Sequence, residues 1–172
     1  SFNVDGDMIA VSFTKNNAPG CLQENILETI QFSNGQSREL NRLCNTDYYW
    51  INVVLSGDRL LAMQISSVDH PKESKAFLIN LKSGYIEPLE IPKQSKPVKC
   101  EYGLAISGQW VACNIAELET ILFNVDDYRS FSFDGLLPSV VSGPTPIIQE
   151  NWLYWTVSSD GKIYDLMQNK LV

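Results

Sequence analysis

Histidine is almost missing from this chain: His70 is the only one in 172 residues. With one imidazole, the chain holds neither a Ser-His-Asp triad nor a histidine-rich metal centre. His70 sits in Val68-Asp69-His70-Pro71-Lys72 and reads as a loop-surface residue, because sequence neighbours in a loop rarely form an acid–base pair. The four cysteines, Cys21, Cys44, Cys100 and Cys113, show no Cys-x-x-Cys spacing, which argues against structural zinc. Glycines are too dispersed for a phosphate-binding loop. The acidic pairs Asp5-Gly6-Asp7 and Asp126-Asp127 lack the spacing of a calcium-binding EF-hand loop and fall where Asp serves a turn backbone. The reading is therefore of no catalytic residues, no metal ligands and no cofactor, and it leans away from an enzyme. Positive charge is also short, with 13 Lys and Arg against 20 Asp and Glu and a net charge of −7. That balance disfavours nucleic acid or an anionic membrane as partner, since both reward clustered cations. No apolar run approaches the length that spans a bilayer. No convincing helical period is present. Missing too are an initiator Met, the basic and apolar regions of a signal peptide, and any Asn-x-Ser/Thr glycosylation sequon. The last of these leans toward an intracellular protein, while the abrupt start suggests a piece of something longer.

What is present is repetition. The stretch Leu55 to Leu89 contains a tight turn at Ser56-Gly57-Asp58, an apolar run from Leu60 to Ile65, a polar loop, a second run from Ala76 to Leu81, and a turn at Lys82-Ser83-Gly84. Related phrases stand at Asp5-Gly6-Asp7, at Ser107-Gly108-Gln109 and, without the glycine, at Gln149-Glu150-Asn151; Gly6, Gly57 and Gly108 are spaced 51 residues apart. A second landmark follows each, in which an apolar-polar-apolar strand end meets a turn: Ile30-Gln31-Phe32, Ile79-Asn80-Leu81, Phe123-Asn124-Val125 and Tyr164-Asp165-Leu166. Two landmarks recurring in register four times, at periods of about 40–50 residues built from short strands, mark propeller blades. The expectation is an all-β fold, a β-propeller or partial propeller of about four blades, each a four-stranded antiparallel meander. The blades run roughly over 1–46, 47–99, 100–143 and 144–172 of one repeat domain. A contiguous part of a larger propeller, completed by further chain or by a second copy, is preferred over a closed four-bladed ring.

In such a meander, alternate connections emerge on opposite faces. The first-to-second and third-to-fourth turns are short here, whereas Thr14 to Glu24, Ser66 to Ser74, Pro92 to Lys99 and Asp134 to Pro144 read as long loops sharing one face. Recognition usually sits on such loops. The candidate partner-binding residues are Lys15, Asn16, Asn17, Asp69, His70, Lys72, Glu73, Lys93 and Lys96, with Trp50 on an innermost strand as the tryptophan placed to reach a central channel. Trp110, Trp152 and Trp155 occupy or flank second-strand positions, where packing between blades is expected. Cys100 and Cys113 flank the Ser107-Gly108 turn; a hairpin there brings them together as buried thiols or as a disulfide, and the even cysteine count leaves the redox state open.

The repeats resemble those of the broad propeller superfamily that includes WD-repeat and quinoprotein-like proteins, although the Trp-Asp dipeptide of true WD repeats is absent. The phrase from Ser56 to Gly84 is also similar to divergent propeller regions behind F-boxes in fungal proteins, a resemblance that implies a substrate-receptor role in ubiquitin ligation. The functional expectation is a non-catalytic protein-interaction scaffold or substrate receptor. The competing reading is a small-ligand, glycan-binding or hydrolytic propeller with its site at the channel mouth, since a pair of carboxylates brought together in space leaves no trace in sequence.

Overall fold

The computed structural model describes residues 1–44, 46–66, 74–90, 100, 102–116, 119–127, 129–134, 147–149, 152–157, 160–165, 167–168 and 170–172. Among the described residues, sixteen strands make four sheets, each a meander of four antiparallel strands in sequence order. The first sheet holds β1 (Phe2–Asp5), β2 (Met8–Ala18), β3 (Cys21–Gln31) and β4 (Ser37–Cys44). The second holds β5 (Tyr48–Ser56), β6 (Arg59–Ser66), β7 (Lys75–Asn80) and β8 (Ile86–Pro88). In the third are β9 (Tyr102–Ser107), β10 (Trp110–Ala116), β11 (Glu119–Asn124) and β12 (Ser130–Asp134), and in the fourth β13 (Ile147–Gln149), β14 (Trp152–Val157), β15 (Asp160–Asp165) and β16 (Lys170–Leu171). The chain divides into two compact units, Ser1–Leu89 and Glu90–Val172, with two sheets in each. No helix among the described residues is long and apolar enough to cross a membrane.

Local chemistry accounts for the repeated turns. Gly6, Gly57 and Gly108 each join a first strand to a second at φ of 56°, 57° and 56°, a left-handed conformation that costs a side-chain-bearing residue about 1–2 kcal/mol. The second landmark is an Asx turn in three sheets. The Asn80 side-chain oxygen accepts from the N–H of Lys82 and Ser83, that of Asn124 from Asp126 and Asp127, and that of Asp165 from Met167 and Gln168. In the first sheet Gln31 holds that position, and the Gly35 N–H bonds to its backbone carbonyl, as the Gly84 N–H does to that of Asn80. The acidic turn residues serve the fold as expected. Asp7 accepts the Ser33 N–H at 2.8 Å and its hydroxyl at 2.6 Å, Asp58 pairs with Lys82 at 2.7 Å, and Asp127 takes both the N–H and the guanidinium of Arg129.

Within unit 1, sheets one and two stack face to face. Met8, Ala10, Leu27, Leu40 and Leu43 of the first meet Val53, Leu55, Leu60, Ala62 and Ile79 of the second. Burying a side chain such as Leu60 or Ile79 in this way stabilises by about 1.5–3 kcal/mol. Polar ties reinforce the seam. Ser1, Asn3 and Asp5, alternate residues at the start of the chain, accept the backbone N–H groups of Val53, Leu55 and Gly57. Arg38 on β4 donates to the Leu81 carbonyl. In unit 2, Ala105, Trp110, Ala112 and Leu122 of the third sheet pack with Ile148, Leu153 and Tyr164 of the fourth, and Trp110 lies 6.1 Å from Phe131. For Trp110 the inter-sheet role expected from its position holds.

One expected loop proves to be strand. Thr14 to Glu24 is not an open connection, because β2 and β3 stay paired through Lys15–Glu24, Asn16–Gln23 and Ala18–Cys21 and turn only at Pro19-Gly20. Polar residues on both faces hide this from an alternation test, and Gly20 at φ 79° closes the hairpin tightly.

Candidate functional site

The β2–β3 hairpin is the most built-up feature of unit 1. Each of its strands has 11 residues, against eight and six for β6 and β7. Its outer part is held on several sides. Cys21 is joined by a disulfide to Cys44 at the end of β4, with Cα atoms 5.7 Å apart. Asn25 accepts from the Thr14 hydroxyl at 2.7 Å and donates to the Tyr48 carbonyl at 3.0 Å. Gln23 donates to the Tyr49 hydroxyl at 3.4 Å. Tyr48 is paired with Ser66, the last residue of β6, so the hairpin stands beside the point where the chain leaves the second sheet toward residues 67–73.

Lys15 and Asn16 lie exposed on β2 near the hairpin end, and Leu22 on β3 is 79% exposed. Thr14 is exposed as well. The hairpin end is thus polar on both faces, with one prominent aliphatic side chain. Next to it, Arg42 on β4 bridges two carboxylates, donating to Glu24 at 2.6 Å and forking onto Glu39. These bonds raise the Arg42 guanidinium pKa further, and the hydrogen bond from Arg42 holds the Glu39 carboxyl below its ordinary value. Glu24 is buried at 4% exposure, its Oε1 accepting from this cation. Among the described residues, no three His, Cys, Asp or Glu side chains are grouped to hold a metal ion.

Of the residues singled out from sequence, Lys15 and Asn16 fall together on this hairpin, and Asn17 follows them in β2. Asp69, His70, Lys72, Glu73, Lys93 and Lys96 lie outside the described residues. Trp50 is a correction. Rather than reaching a channel or a partner, it is 6% exposed within the seam of unit 1, edge-on to Phe77 at 5.3 Å and donating its indole N–H to Asn41. The cause is a bulge in β5: the pairing shifts between Ile51 and Val54, and Asn52 takes φ 49°. The extra residue reverses the alternation, so Trp50 joins the face that carries Val53 and Leu55. Sequence reasoning missed Leu22 and the brace formed by Asn25, Tyr48 and Tyr49. The one available signal was the pair Cys21 and Cys44, whose bond defines the hairpin. The second disulfide, Cys100–Cys113, closes across the Ser107-Gly108 hairpin with Cα atoms 5.5 Å apart, which settles the alternative left open between thiols and a bond.

No family model matches the sequence, and no curated protein matches it. Solved structures do. TolB from Acinetobacter baumannii superposes with a TM-score of 0.64 at 12% identity, over 96% of this chain and 41% of that one. The β-propeller domain of the Trilobed protease from Pyrococcus furiosus gives 0.54 at 13% identity, over 95% of this chain and 53% of its own. The computationally designed Ika4 protein gives 0.55 at 10% identity, over 96% and 89%. This chain thus spans less than half of the TolB chain and about half of the Pyrococcus chain. Likeness at such low identity establishes the β-propeller fold and carries nothing on the resemblance to fungal F-box proteins.

Proposed function

We propose that this chain is part of a β-propeller that works as a non-catalytic protein-interaction scaffold or substrate receptor, holding its partner at the edge where the β2–β3 hairpin and the β6–β7 connection emerge. The observation that carries this reading is the braced hairpin end, which offers Lys15, Asn16 and Leu22 to solvent while a disulfide and the Asn25–Tyr48 bond fix the strands beneath. A rigid support lowers the ordering cost of binding. Asp69, His70, Lys72 and Glu73, outside the described residues, belong to the reading from the sequence alone. Lys93 and Lys96 belong to the reading as residues of the connection to the next blade. The share of TolB and of the Pyrococcus domain that the chain spans supports a partial propeller, completed by further chain or by a second copy.

The two disulfides support an oxidising compartment for the protein, against the intracellular lean taken from the missing sequons. The test is a pull-down with the wild-type protein and with the combined variant Lys15→Glu, Asn16→Ala, Leu22→Ala. A specific partner retained by the first and lost by the second, at equal melting temperature, is the expected result. Equal capture by both, or no specific partner for either, overturns the proposal.

A further inference from the structure

The two disulfides occupy opposite situations in their sheets, and the strand each lies on explains why. Cys113 is on β10, flanked in the ladder by Leu104 of β9 and Ile121 of β11. It is 0% exposed and Cys100 is 1% exposed, so a reagent reaches neither sulfur while the third sheet stays closed. Cys44 ends β4, the outermost strand of the first sheet, and pairs on its inner side with Glu24 of β3. Cys44 is exposed, while its bonded partner Cys21 is 5% exposed. Exchange begins when a thiolate meets a disulfide sulfur, so access to that sulfur decides which bond reacts.

The first sheet also suits the open form of its bond. The Gln23 carbonyl oxygen lies 2.9 Å from Cys21 Sγ and the Gly20 carbonyl oxygen 3.9 Å from Cys44 Sγ. Each thiol, once formed, has an acceptor beside it. Strand pairing does not depend on the bond, because Ala18–Cys21 and Lys15–Glu24 join β2 to β3 and Glu24–Cys44 joins β3 to β4. The ladder therefore keeps the two thiols near enough to rejoin. What reduction removes is the covalent tie between the hairpin end and β4.

We propose that Cys21–Cys44 is a thiol-exchange site, opened reversibly by a dithiol while Cys100–Cys113 stays closed, and that its opening loosens the end of the β2–β3 hairpin. A thiolate of the dithiol attacks Cys44 Sγ and forms a mixed disulfide there, and Cys21 leaves as a thiolate that takes up a proton. The second thiol of the reagent then attacks its own bonded sulfur. Cys44 is released as a thiol and the reagent departs as a cyclic disulfide, so two electrons pass from the dithiol to the protein. The loosened segment carries Lys15, Asn16 and Leu22; a consequence for partner binding rests on the function proposed above, whereas the exchange itself does not.

The experiment is reduction of the folded wild-type protein with dithiothreitol, quenched with iodoacetamide and read by peptide mapping. Alkylation of Cys21 and Cys44 together, with Cys100 still linked to Cys113, is the expected result. In an unquenched sample, removing the reductant should restore the Cys21–Cys44 link. Amide hydrogen exchange should rise on reduction in peptides spanning residues 14–25 and stay level in β6. Opening of both bonds at one rate, the outcome that global unfolding gives, overturns the proposal. So does opening of Cys100–Cys113 first, resistance of Cys21–Cys44 until the protein is denatured, failure of the link to re-form, or exchange in the hairpin that reduction leaves unchanged. None of these readouts involves a partner, so a chain that captures none would sink the scaffold role and leave the exchange site standing.

Discussion

Asn52 shows how much one backbone angle decides. It holds φ 49° without being glycine, in the bulge that turns Trp50 into the core. Asn tolerates this region better than most residues, while a β-carbon without a compensating polar side chain is strained there. Asn52→Ala is therefore expected to lower unfolding free energy by about 1 kcal/mol, whereas Asn52→Gly keeps or improves it. Urea unfolding of the two variants tests this; an Ala variant as stable as wild type would show that the bulge carries no strain. At the same scale, the recurrence of Asn80, Asn124 and Asp165 was visible in sequence, but what their side-chain oxygens do became evident only from the N–H groups they accept.

At the scale of an element, the β2–β3 hairpin differs from its counterparts in the other sheets by its length, and a disulfide ties it to β4. The Cys21–Cys44 bond closes a loop with a sequence separation of 23, and constraining an unfolded chain over a loop of that order stabilises by about 3 kcal/mol. The paired replacement Cys21→Ser, Cys44→Ser should lower stability by about that amount, and a reductant should lower the wild-type unfolding midpoint. Peptide mapping without reduction is expected to recover Cys21 linked to Cys44 and Cys100 linked to Cys113; free thiols at these positions would remove the basis for both expectations.

At the scale of the whole molecule, several surface carboxylates among the described residues are held by hydrogen bonds or ion pairs. The Ser33 hydroxyl lowers the Asp7 pKa, Arg42 that of Glu39, Lys82 that of Asp58 and the Arg129 backbone N–H that of Asp127. Each group binds its proton less readily folded than unfolded. The stability it contributes is thus full above the unfolded carboxylate value of about 4 and is lost as pH falls through the lower folded values. The melting temperature should be level from neutral pH to about 5 and drop below about 4. A melting temperature unchanged down to pH 2 would contradict this linkage.

Turn chemistry and strand alternation are local, so the repeat, the all-β class and the service of Asp7 and Asp127 to turns were legible in the residues; glycine at Gly57 and the apolar run from Leu60 to Ile65 leave few other conformations open. Which residues meet is not local. The tertiary structure alone decided that Thr14 to Glu24 is paired strand, because that pairing depends on two strands finding each other. It decided likewise that Trp50 lies inside, because one inserted residue reverses every side chain before it.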